Sequence, residues 1–143
     1  MAEVVPTELT GVVNGDEQGK ASGIIHNAGI RRRRNTFTSA GNIAASADTL
    51  RLGRAKAGDA IRAFEITATS NMSAASISIG TADDPDKYLA AASLPNATSG
   101  RRIVLPTAAG YAPLTEDEEV IATVSVAAIP AGSLLIDTEF SRR

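Results

Sequence analysis

The chain has 143 residues, with 14 basic and 16 acidic side chains, a formal charge of −2, no cysteine and no tryptophan. A single domain of this size buries about 70% of the surface its unfolded chain exposes, so it needs no metal or disulfide staple, and the lack of cysteine excludes thiolate zinc sites and a cysteine nucleophile. A net charge this small calls for neither nucleic acid nor membrane as a partner.

The charge is unevenly spread. Residues 1–19 hold Glu3, Glu8, Asp16 and Glu17 and no base, whereas residues 20–62 hold nine bases against Asp48 and Asp59. The N-terminus has no basic n-region and no apolar run, unlike a signal peptide. The expectation is therefore a protein made in the cytoplasm and used without secretion. Residues 1–35 read as an extended arm. Gly11, Asn14-Gly15 and Gly19 are loop signals, and the apolar residues come in pairs without a period.

From residue 36 the pattern is one of short strands. Leu50 and Leu52 alternate with Arg51. Phe64, Ile66 and Ala68 alternate with Glu65 and Thr67, and Ile77 and Ile79 alternate with Ser76 and Ser78. Period two marks half-buried strands. Residues 84–92 break it: Asp84 as N-cap, Pro85 at the first helical position and the following alanines predict one short helix. Strands resume at residues 102–105. The strongest runs from Val120 to Ala127 and is followed by the Pro130-Gly132 turn and a last strand over Leu134, Ile136, Thr138 and Phe140. These last two read as an antiparallel hairpin. The longest apolar stretch, residues 120–129, falls short of the roughly 20 residues that cross a bilayer. Turn signals at this spacing predict an all-β fold, a jelly-roll-like sandwich of two antiparallel sheets. The domain plan is an arm over 1–35 and a sandwich over 36–143.

Little of the sequence points to catalysis. His26 is the single histidine, with Ser22 nearby, but no carboxylate in the neighbouring sequence orients the ring and no Gly-x-Ser-x-Gly elbow occurs. Asp83, Asp84 and Asp86 lack the alternate ligands and closing glutamate of a calcium loop. Aromatic residues make up 3% of the chain, too few to wall a cofactor or sugar pocket. No enzyme activity, cofactor or metal is expected. The run Arg31, Arg32, Arg33 and Arg34 lacks interleaved aromatics for base stacking, and is read as pairing with a carboxylate-rich protein surface. The acidic run Glu116, Asp117, Glu118 and Glu119 reads first as a solvated turn before a strand, and otherwise as a second candidate interface facing the basic region of another copy.

Two segments carry a resemblance. Leu50-Arg51-Leu52-Gly53-Arg54-Ala55-Lys56-Ala57-Gly58-Asp59 and Ile77-Ser78-Ile79-Gly80-Thr81-Ala82-Asp83-Asp84-Pro85-Asp86-Lys87-Tyr88 resemble small structural proteins encoded near the major capsid gene of tailed phages. The likeness extends over residues 36–140 and is similar in kind to the jelly-roll cement proteins of short-tailed, Bordetella phage-like viruses. It implies a virion structural protein on the capsid exterior, binding the major capsid protein and itself as a homodimer. A tail, fibre or host-binding module is the other reading. The arm over residues 1–35 either lies extended over a neighbour, in the first reading the capsid, or adds an edge strand.

Overall fold

The computed structural model describes residues 30–43, 48–106 and 112–142. The readings made for residues 1–29, including His26 and Ser22, lie outside them. Eight strands follow in order: β1 (Ile30–Ser39), β2 (Thr49–Ala55), β3 (Asp59–Ala68), β4 (Ser76–Gly80), β5 (Leu89–Ser93), β6 (Arg101–Val104), β7 (Glu118–Ser125) and β8 (Gly132–Arg142). They form two antiparallel four-stranded sheets, ordered β1-β8-β3-β6 and β2-β7-β4-β5. First pairs with last, second with seventh, third with sixth and fourth with fifth. This is one long hairpin rolled on itself, the arrangement of a jelly roll.

Alternation explains the core. Val120, Ala122 and Val124 of β7, Ile77 and Ile79 of β4 and Leu50 and Leu52 of β2 bury one face of their sheet. Phe64, Ile66, Leu134 and Ile136 do the same from the other. Period two breaks between Ile61 and Phe64, and both are buried. A register shift against β8 between Ile61 and Ala63 absorbs the odd residue, as a bulge does.

Two expectations are corrected. No helix occurs among the described residues, and residues 84–92 instead form a turn and then β5. Asp84 and Pro85 signal a helix start, but Pro at the second position also favours a β-turn. The turn wins: the Lys87 amide donates to the Asp84 carbonyl at 3.3 Å, and the Tyr88 amide to Ile79 at 2.9 Å. A one- or two-turn helix would bear the full cost of nucleation. Pairing of Leu89 with Ile79 and Ala92 with Ile77 satisfies the backbone instead.

Nor do β7 and β8 form a hairpin. They lie in different sheets, and residues 126–131 carry the chain across. Ile129 is the reason: it is fully buried, and its amide bonds the Ile43 carbonyl at 2.9 Å. The apolar ladders of the two strands thus face each other across the core. The crossing starts with a tight three-residue turn, in which the Ala127 amide donates to the Ser125 carbonyl at 2.9 Å. Val126, at its centre, has φ 71° and is 79% exposed. A β-branched residue is strained in this region. Val126→Gly should therefore raise stability by about 1 kcal/mol, read as a rise of a few degrees in melting temperature. An unchanged or lower melting point would refute this account of the turn.

Candidate partner interface

The four arginines of the run all lie in β1, opposite β8. Strand geometry sends neighbours to opposite faces, so the run splits into two pairs with different surroundings.

Arg32 and Arg34 stand on the outer face of their sheet. The register sets Arg32 against Glu139 and Arg34 against Asp137. Arg34 grips Asp137 with two bonds, Nε to Oδ1 and Nη2 to Oδ2, each 2.8 Å. Arg32 donates to Glu139 and lies 3.7 Å from both Asp137 and Glu65. From the far edge, Arg102 on β6 holds both oxygens of Glu139 at 2.6 Å and reaches Glu65 at 3.5 Å. Three cations and three carboxylates thus tile the sheet face. Asp137 and Glu139 are only 2% and 4% exposed, covered by the arginine stems. Burying a carboxylate is costly unless it is paired and bonded, and the bidentate grips supply that pairing. The Arg102 bonds pull the Glu139 carboxyl down, burial opposes them, and Arg32 adds to the lowering; the group titrates at about 2. The hydrogen bond to Asp137 raises Arg34 above its ordinary value.

Arg31 and Arg33 face the other way, toward β2. Their guanidinium carbons lie 5.0 and 5.2 Å from the Phe140 ring centre, within cation–π range. Arg31 donates to Asp59 at 2.8 Å. Arg33 spans the open edge between the sheets and donates to the Leu52 and Arg54 carbonyls at 3.5 and 3.0 Å. Gly53 makes room for it. With φ 101°, it sits at a register shift of β2, and a Cβ there would lie 2.7 Å from Arg33 Nη1. Arg31, Arg32, Arg33, Arg54, Lys56, Asp59 and Phe140 line a cleft of about 350 Å³ between the sheets.

The acidic run lies at the start of β7. Glu116 is exposed, Asp117 accepts from the Ala57 amide at 2.9 Å, and Glu119 pairs with Arg51. Glu118 accepts from Lys87 and from the Tyr88 hydroxyl. Burial raises the Glu118 carboxyl, but these two bonds outweigh it and leave the group lowered. Burial and the same carboxylate raise Tyr88. No hydrogen bond or ion pair joins the two charged runs among the described residues. Asp83 and Asp84 line a hollow with the acidic run, but no group of three or more histidines, aspartates or glutamates is arranged to hold a metal ion among the described residues.

Sequence reasoning expected the arginines to meet carboxylates on a partner's surface; it did not foresee pairing with this chain's own Asp137, Glu139 and Glu65, and it passed over Arg102. A signal was present. Arg32 and Arg34 are two apart, and so are Asp137 and Glu139, each pair on one face of a strand.

No protein-family model and no curated protein matches the chain. Among solved structures, a chain of the cyanophage Pam1 capsid asymmetric unit is similar at 15% identity, with a TM-score of 0.58 over 82% of this chain and 86% of that one. A chain of the capsid of Ralstonia phage GP4 is similar at 13% identity, with a TM-score of 0.59 over 80% and 85%. At such identities the likeness is one of fold, shared over most of this chain's length with chains found in two phage capsids.

Proposed function

We propose that the chain is a non-enzymatic structural protein of a phage virion that binds the outside of the major capsid protein lattice and stabilises the head. The observation that carries this reading is the shared fold, which covers at least four-fifths of this chain and of each capsid chain. The charge layout supports it. One sheet face is neutralised within the chain, whereas Arg31, Arg33, Arg54 and Lys56 gather at one cleft. A lattice-bound protein can work through modest contacts, because many linked sites raise the effective concentration of each. Self-association as a homodimer would add to that effect.

The N-terminal arm is the second proposed contact. Residues 30–35 belong to β1 and cover Asp137 and Glu139, so removing residues 1–35 would also unroof buried carboxylates. All eight described strands begin at or after Ile30, so the cut that spares them removes residues 1–29. The deciding experiment is co-sedimentation of the purified protein with capsids that lack it. Saturation at a fixed ratio to the major capsid protein is expected. The chain lacking residues 1–29 should keep its circular dichroism and melting temperature but lose at least about tenfold in affinity, as a lost anchor of a linked pair does. Absence of sedimentation by the full chain would overturn the capsid reading in favour of a tail or host-binding module. Undiminished binding by the shortened chain would overturn the role of the arm.

A further inference from the structure

We propose that the cleft between β1 and β2 is a docking site for a carboxylate-bearing segment of a partner polypeptide, held by Arg33, Arg54 and Lys56. The identity of the partner as a lattice protein rests on the capsid reading, whereas the chemistry of the cleft does not.

The cleft is lined by five cations and one acid. Arg32 is turned to the carboxylate network of the sheet face. Asp59 is bonded to Arg31 and accepts from the Lys56 amide at 3.0 Å. Arg33, Arg54 and Lys56 meet no carboxylate among the described residues. Arg54 and Lys56 are exposed. Arg33 is held in advance: the Phe140 ring lies near its guanidinium, two β2 carbonyls take its hydrogen bonds, and Gly53 leaves its space open. Of the five N–H groups of a guanidinium, those two bonds use two. A rigid, partly satisfied fork suits a planar carboxylate, which it can meet with two parallel bonds at little cost in side-chain freedom.

Phosphate chains fit less well. Arg54 lies opposite Glu119 and Ala55 opposite Glu118 in the β2–β7 register. Glu116, Asp117, Asp83 and Asp84 line the next hollow. A polyanion leaving the cleft along this end would meet that acidic surface, and a nucleic-acid site needs an extended basic track. The one aromatic ring in the cleft is buried beneath arginines and offers no face to a base. A side-chain carboxylate needs only the cleft.

The test uses the full chain and a charge-reversed variant, Arg54→Glu with Lys56→Glu, in the capsid co-sedimentation assay. Both side chains are exposed, so the variant should melt with the wild type. If it does not, Arg54→Gln with Lys56→Gln takes its place. Binding to capsids at least about tenfold weaker is expected, because opposed charges replace complementary ones at the contact. Unchanged binding would overturn the cleft as the docking site and leave the capsid reading standing. If the wild type itself fails to sediment, the capsid reading falls, and amide-shift titration with a short neutral-flanked peptide carrying one glutamate decides the cleft. Shifts confined to Arg31, Arg33, Arg54 and Lys56 support the site, and their absence refutes it. The same shifts produced at lower concentration by a single-stranded oligonucleotide would assign the cleft to phosphate instead.

Discussion

Acid should weaken the fold through Glu139. Its carboxyl titrates at about 2 in the folded chain against 4.5 ordinarily. A lowered folded value means that the contribution is complete above about pH 4.5 and is lost as the pH falls through about 2. The shift alone corresponds to a ceiling of about 3 kcal/mol. Arg32 and Arg102 are about half exposed, so solvent screening brings the expected loss to about 2 kcal/mol. Glu65 borders both of these arginines and Asp137 borders Arg32, which is why the contribution of Glu139 has to be isolated by comparison. Urea melts of the wild type and Glu139→Gln at pH 6, 4 and 2.5 do this. The advantage of the wild type should shrink steadily toward the most acidic sample. A difference that stays constant across the series would mean that the carboxylate is not held by its arginines.

Phe64→Ala should cost about 4 kcal/mol, the usual effect of removing a buried phenylalanine. Phe64 is 0% exposed at the centre of β3 and packs on the Tyr88 ring, with centroids 6.3 Å apart. Domains of this size have roughly 5–15 kcal/mol in total, so the variant sits near the edge of folding at 37 °C. Part of the loss should come through Tyr88, whose hydroxyl anchors Glu118. Phe64→Leu, which keeps most of the volume, should cost no more than about 1.5 kcal/mol. Chemical denaturation of both variants tests the pair. A phenylalanine-to-alanine cost under about 1 kcal/mol would place Phe64 outside the rigid core.

Strand identity was legible wherever one face was uniformly apolar. Val120, Ala122 and Val124, and likewise Leu134 and Ile136, announce their strands by alternation alone. Partnership was not. Neighbouring strands in sequence usually pair, and that default made a hairpin of β7 and β8. What separates them is Ile129, a buried residue just before a Pro130-Ala131-Gly132 sequence that reads as an exposed hairpin turn. The turn at Asp84-Pro85 was ambiguous for a different reason: the same two residues open helices and β-turns, and only pairing with β4 decides. The charged face was the least legible. Asp137 and Glu139 look like the wet side of a strand until Arg32, Arg34 and Arg102 are laid over them. That needs the long-range register, which no local pattern contains. For the same reason the run of four arginines looked uniform, although strand parity divides it into a closed pair and a pair lining the cleft.

The pairing of first strand with last also governs how the chain is born. Arg32 and Glu139 are 107 residues apart, and β8 is the centre of its sheet, between β1 and β3. Until the eleven residues of β8 have left the ribosome, β1 and β3 have no strand between them, and Arg32 and Arg34 lack Glu139 and Asp137. Long-range pairing of this kind folds slowly. The sandwich should therefore close only once β8 has been made, and a nascent chain stalled before β8 should remain open to protease while the chain that includes β8 resists.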